Sequence, residues 1–354
     1  MKELTSSERV RKALNREEVD RIPVTSPCQC GLLDNMKTTN CFWPDAHRDA
    51  QKMAILGAAC HELQGIESVR VPFCITVAAE ACGTGIKWPT RPDVQPMAID
   101  FVIKKPGDLD KVKVPDPMKD GRMPAVMEAL GILNRKYGNT LPIFCEHEGP
   151  YTLCSVLRGL ENLAMDQITN KDFVKGLLDY ALQVLETYVT AQVAHGATAV
   201  FQTDGVASGD VMSPKTYEAQ VFETNKALMK YFAGHLNGVP FVHHVCGKSS
   251  ELVSLVTEVQ AQYLPNPIAT SYETVVPIPH VKNVIGNRKI AVYGEINVNQ
   301  ELLFGPVEAI DAQVKLHIEQ GSDMIGPCCG MGSRTPSAHV KAMVDATHKY
   351  GERK

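Results

Sequence analysis

Apolar and polar positions along this chain follow two different periods. Short apolar runs at 66–71, 141–145, 197–202, 239–243, 289–293 and 323–325 are rich in β-branched and aromatic residues, and they read as strands. Two vaguer runs, near Ile22 and near Tyr263-Leu264, read the same way. Between them the apolar residues recur at helical spacing. The longest such stretch, 172–195, places Leu177, Leu178, Ala181, Leu185, Tyr188 and Val189 on one stripe. Helix starts are marked by local chemistry. Thr5 and Glu8 form a capping box ahead of Val10, Ala13 and Leu14. Ser213-Pro214 and Thr335-Pro336 each place a hydroxyl residue before a proline suited to the first helical turn.

Strand and helix in alternation argue for a parallel sheet covered by helices. Six clear strands and two vaguer ones predict a (β/α)8 TIM barrel with an N-terminal helical segment. An open doubly wound sheet is the alternative. No Gly-x-Gly-x-x-Gly follows an early strand, which weakens a dinucleotide-binding reading. Residues 89–120, rich in Pro, Asp and Lys, read as an extended insertion rather than a linker. The expected organisation is one domain over 1–354.

Composition narrows the class. The chain has 354 residues, enough for a barrel of about 250 residues with insertions. A net charge of −4 argues against a nucleic-acid binder. No run approaches the roughly 20 apolar residues of a membrane span, and residues 1–15 lack an apolar signal core. The expected location is the cytoplasm. The 11 cysteines follow no repeating frame, so they read as thiols, with metal ligands among them, rather than as disulfides.

In a parallel barrel the chemistry gathers where strands end at their carboxyl side. The residues following the predicted strands include Glu146, Glu148, Asp204, His244, Cys246, Glu295, Cys328 and Cys329. Alternate residues of an extended segment point the same way, so His244 and Cys246 project into one space while His243 points away. A third ligand would come from Cys328 or Cys329. One His and two Cys suit a zinc ion with an open fourth position. The same spacing also fits a hydrogen-bonded core histidine among packing cysteines. Glu146, Glu148, Glu273 and Glu295 are candidates for a fourth ligand, a partner behind a ligand, or a proton acceptor. Glu148, Asp204 and Glu295 are the expected catalytic groups.

The segment His244-Val245-Cys246-Gly247-Lys248 resembles the His-x-Cys-Gly motif of the corrinoid-dependent methyltransferase branch of the uroporphyrinogen decarboxylase superfamily. Pro327-Cys328-Cys329-Gly330 with Arg334-Thr335-Pro336 is similar to that branch's Pro-Gly-Cys-Gly and Thr-Pro segment. Trp43-Pro44-Asp45-Ala46-His47, Val69-Arg70-Val71-Pro72-Phe73 and Glu80-Ala81-Cys82-Gly83 are similar to it as well. The resemblance runs over nearly the whole chain. It implies a TIM barrel and a zinc ion on His244, Cys246 and Cys329, with Cys328 standing where the family usually has glycine. It also implies methyl transfer between a corrinoid (methylcobamide) carried by a partner protein and a small molecule, first of all a thiol similar to coenzyme M. The alternative is the reverse sense, from a methyl ether or methanol to cobalt. For an acceptor similar to coenzyme M, Arg70 or Arg334 would be the cation facing its sulfonate. The decarboxylase activity is disfavoured, because residues 23–30 contain no arginine to pair with a polycarboxylate. No Asp-x-His-x-x-Gly motif is present, so the corrinoid is expected on a separate protein.

Overall fold

The structure, a computed structural model, describes residues 3–28 and 31–353. Gln29 and Cys30, at the end of the arginine-free segment, lie outside the described residues. In chain order the strands are β1 (Val69–Val71), β2 (Gly85–Lys87), β3 (Met97–Asp100), β4 (Ile143–Glu148), β5 (Ala199–Asp204), β6 (Phe241–Val245), β7 (Ile268–Tyr272), β8 (Ala291–Ile296) and β9 (Met324–Pro327). Seven of them form one parallel sheet in the order β1-β4-β5-β6-β7-β8-β9. Helices occupy most of the connections, as parallel crossovers require.

Among the described residues the sheet therefore has seven strands rather than the expected eight. The run near Ile22 makes isolated bridges only, Arg21 to Glu352 and Val24 to Ile325. Its backbone still bonds on both sides: Thr25 N–H donates to the Ile325 carbonyl at 3.0 Å, and Val24 O accepts from Glu67 N–H at 2.8 Å. The second vague strand is displaced. Tyr263 lies in a 3-10 turn (Ala261–Tyr263), and β7 begins at Ile268. Pro265 and Pro267, neither of which can donate to a ladder, separate the turn from the strand. The insertion is less extended than its composition suggested. It contributes β3, which pairs antiparallel with β2, and the 3-10 helix Pro106–Lys111.

Burial follows the strand period. Phe144, Phe201, Val242, Ala269, Ala291, Tyr293 and Met324 form one cluster on the sheet face that also receives Val10, Ala13 and Leu14 of the helix Ser6–Leu14. That helix starts with the expected capping box, in which Thr5 accepts from Glu8 N–H and the Glu8 carboxylate accepts from Thr5 N–H. Burying each large apolar side chain contributes about 1.5–3 kcal/mol. The opposite face carries Val69, Val71, Cys145, Val200 and Val245, packed against the helices. The long helix is Lys171–Ala194, within one residue of its expected ends. The last helix is Ser337–Gly351. Pro336 is its N-cap and no side chain caps it, so Thr335 does not play the expected role.

Candidate metal centre

Register places one row of polar residues across the mouth of the sheet. Glu148 pairs with Thr203, Thr203 with His244, and His244 with Ser271. Cα partners in a parallel ladder share a face, so these side chains point to the same side as the Phe144 cluster. His244 is the penultimate residue of β6, and Cys246 follows directly after the strand. Glu273 follows β7, and Cys329 lies two residues past β9. One ligand atom from each of His244, Cys246, Glu273 and Cys329 falls within 4.8 Å of all the others. β6 and β9 are three positions apart in the sheet order, so their ends meet only because the sheet curls.

The histidine is held from behind. Its Nδ1 lies 2.8 Å from Ser271 Oγ, and Ser271 in turn donates to Glu295 Oε1. With Ser271 donating to the carboxylate, its oxygen accepts from His244 Nδ1–H. The Nε2 lone pair then faces the sulfurs, with Cys246 Sγ at 3.3 Å. Such an outer partner sets tautomer and ring orientation for a ligating imidazole. Glu295 is thus one bond removed from the four-residue group. Burial raises its carboxyl to about 8, against the opposing pull of His244 and Ser271.

The two sulfurs share charge unequally. Hydrogen bonds from Cys246 and Cys28 hold the Cys329 thiol well below its ordinary range, despite burial. The Cys246 thiol is raised, because it faces Cys329 and is buried. Burial opposes the charge on His244, but Cys329, Glu295 and Glu273 outweigh it and raise the imidazole. One nitrogen, two sulfurs and one carboxylate at contact form a set suited to zinc, which would replace the protons now shared among them. Cys328 packs instead with Ile296, Leu302 and Val340 on the other side of the chain, and burial raises its thiol.

Residues 5–350 match the family Uroporphyrinogen decarboxylase (URO-D). The chain belongs to the uroporphyrinogen decarboxylase family. A relative in Methanosarcina barkeri, "Methylcobamide:CoM methyltransferase MtaA", is 36% identical over 353 residues, 99% of each chain. "Methylcobamide:CoM methyltransferase MtbA" of Methanosarcina mazei is 32% identical over 351 residues, again 99% of each. The solved structure of a "methyltransferase from Methanosarcina mazei" superposes with a TM-score of 0.89 at 33% identity, covering 98% of this chain and 99% of that one.

The other expected residues of this family member sit elsewhere. Asp204 faces the helix layer, where its Oδ2 accepts from Gln202 Nε2 at 3.2 Å and lies 2.7 Å from His243 Nε2. His243 points away from the sulfurs, as its parity requires. Glu148 is on the site's face but across the mouth, beside Cys74 and Arg122, and burial raises its carboxyl to about 8. Arg70 is buried and paired with Glu146. Arg334 is 68% exposed and paired with Asp93 at 3.0 Å. Ser271 and Cys28 are the contributors the sequence reading missed. Period-two alternation from His244's ladder partner could have flagged Ser271. Cys28 had no comparable signal. No helix among the described residues is long and apolar enough to cross a membrane.

Proposed function

We propose that this protein transfers a methyl group from a methylated corrinoid, carried on a separate protein, to a small thiol. The observation that carries the reading is the convergence of His244, Cys246, Glu273 and Cys329 at the mouth of the sheet. The whole-length similarity to methylcobamide:CoM methyltransferases supports it. A zinc ion would be held by His244, Cys246 and Cys329, and when bound it supplies the positive charge that keeps an acceptor thiol ionised near neutral pH.

The chain's own residues do the rest. Ser271 and Glu295 orient the imidazole. Glu273 stands beside the two sulfurs on the partly exposed side, where an acceptor arrives, and must yield that place to the acceptor's sulfur. The acceptor sulfur attacks the methyl carbon in line. A carbon–sulfur bond forms, the carbon–cobalt bond breaks, and the electron pair stays on cobalt. Neither arginine expected to face a sulfonate is within the four-residue group: Arg70 meets Glu146 and Arg334 meets Asp93. The acceptor class is therefore a small thiol. We also assign residues 22–26 as the eighth strand of the barrel, on the strength of their backbone bonds to β9 and to Glu67.

The test is the metal content of the purified protein and of Cys246→Ala, paired with demethylation of methylcobalamin across a panel of thiols. About one zinc per chain, lost in the variant together with thiol-dependent demethylation, is the expected result. Demethylation that survives in Cys246→Ala overturns the mechanism. Zinc with no active thiol moves the reaction to the ether- or alcohol-demethylating direction.

A further inference from the structure

The loop after β1 holds a second sulfur centre that methyl transfer does not use. Cys74 Sγ accepts from Arg122 Nη2 at 3.2 Å and lies 3.3 Å from Thr76 Oγ1. Arg122 Nη2 also reaches Thr76 Oγ1 at 2.5 Å, and its Nε stands 2.6 Å from Glu80 Oε2. The Arg122 guanidinium lies 5.1 Å from the centre of the Trp88 ring. His47, fully buried, is wedged among Trp43, Phe73 and Trp88 with ring centroids 5.7, 5.6 and 6.3 Å away.

Several buried polar atoms here have no hydrogen-bond partner within the protein, Arg122 Nη1, Glu148 Oε1 and Tyr188 OH, whereas His47 faces the Cys74 sulfur. Glu148, Tyr188, Arg122 and Cys74 are close enough for their charges to act on one another. Buried polar atoms are rarely left unpaired, and the free Nη1 of the guanidinium that touches Cys74 is a donor for a small polar molecule. Burial alone would raise the Cys74 thiol, but the Arg122 guanidinium, with His47 and the Thr76 hydroxyl beside the sulfur, prevails and holds it well below its ordinary range. Cys82 is the instructive contrast. It is slightly more exposed, 8% against 5%, yet burial without a neighbouring cation raises its thiol to about 12.

We propose that Cys74 is a modification site for small hydroperoxides, separate from the metal centre. The sulfur attacks one peroxide oxygen, a sulfur–oxygen bond forms and the oxygen–oxygen bond breaks. The departing hydroxide, or the alkoxide of an organic hydroperoxide, takes the proton of the new S–OH and leaves as water or alcohol. The sulfur loses two electrons to become a sulfenate, and the peroxide is reduced. Arg122 and Thr76 are placed to bind the new oxygen. One thiol converts the sulfenate to a mixed disulfide with loss of its oxygen as water, and a second thiol attacks the outer sulfur, releasing the Cys74 thiolate and a small disulfide.

The experiment uses the full-length protein loaded with zinc, dilute hydrogen peroxide, a dimedone trap for sulfenate, and peptide mass spectrometry. Cys74 is expected to label about tenfold or more faster than Cys82 or Cys145, because reactivity follows thiolate character. Arg122→Gln should slow labelling about tenfold, while Arg122→Lys keeps most of it. If the arginine variants do not fold, the comparison of Cys74 with Cys82 in the unaltered protein decides. Cys74→Ser should remove the fast label. Equal rates at Cys74 and Cys82, or a fast label that persists in Cys74→Ser, overturns the proposal.

Discussion

Replacing Ser271 by alanine should weaken metal binding without touching a ligand. The hydroxyl joins His244 Nδ1, 2.8 Å away, to the Glu295 carboxylate. Its removal leaves an imidazole N–H and a carboxylate oxygen unpaired in a buried space, and Glu295 Oε2 already lacks a partner there. Each new unsatisfied group costs about 1–3 kcal/mol. The imidazole also loses the bond that presents Nε2 as the lone pair. Loss of such an outer partner weakens metal affinity by about 10–100-fold, equivalent to roughly 1.4–2.7 kcal/mol. The assay is competition for zinc against a chromophoric chelator, run beside urea unfolding of the metal-free protein. Ser271→Thr retains a hydroxyl and should recover most of the affinity if it packs. A folded Ser271→Ala protein that binds zinc as tightly as the unaltered one would refute the relay.

Three other outcomes follow from the geometry. Glu148 is neutral in the folded state up to about pH 8, against an ordinary value of 4.5. The folded chain therefore holds a proton that the unfolded chain releases, and stability falls as pH rises between these values, by up to about 1.4 kcal/mol per pH unit. Glu148→Gln should lower that slope in denaturant titrations at pH 5, 6, 7 and 8, leaving the share of Glu295, which burial also raises to about 8, and an unchanged slope would contradict the burial of the Glu148 carboxyl. Asp204→Asn weakens the buried contact with His243 and should cost about 1.5–3 kcal/mol of stability while zinc stoichiometry, measured on the same sample, stays the same. Gly149→Ala places a Cβ 1.6 Å from Asp204 Oδ1, an overlap that should lower stability by about 1–3 kcal/mol or more, read from the urea midpoint.

What the chain determined locally was the element types and two members of the candidate site. Helical spacing placed the helix Lys171–Ala194 to within a residue, because its stripe is long and regular. Strand parity put His244 and Cys246 on one side and His243 on the other, since side chains alternate with period two. Parity is a local property, and local properties survive folding. The same reasoning failed where a strand lacks an alternating pattern: residues 268–272, Ile-Ala-Thr-Ser-Tyr, are more polar than a typical buried strand, and the reading shifted to the apolar Tyr263-Leu264 beside them.

Tertiary structure alone decided which distant residues meet. Cys328 and Cys329 are chemically identical in sequence. The turn after β9 sends Cys328 into the helix layer and Cys329 to the sulfurs. Glu273, Glu295, Glu148 and Asp204 all follow or end strands, yet only Glu273 joins the ligand atoms. Glu295 is set back behind Ser271, Glu148 lies across the mouth, and Asp204 faces outward. Those differences depend on the curl of the sheet and on where each strand stops. Both are set by the packing of the whole chain, and neither is written in the residues beside the site.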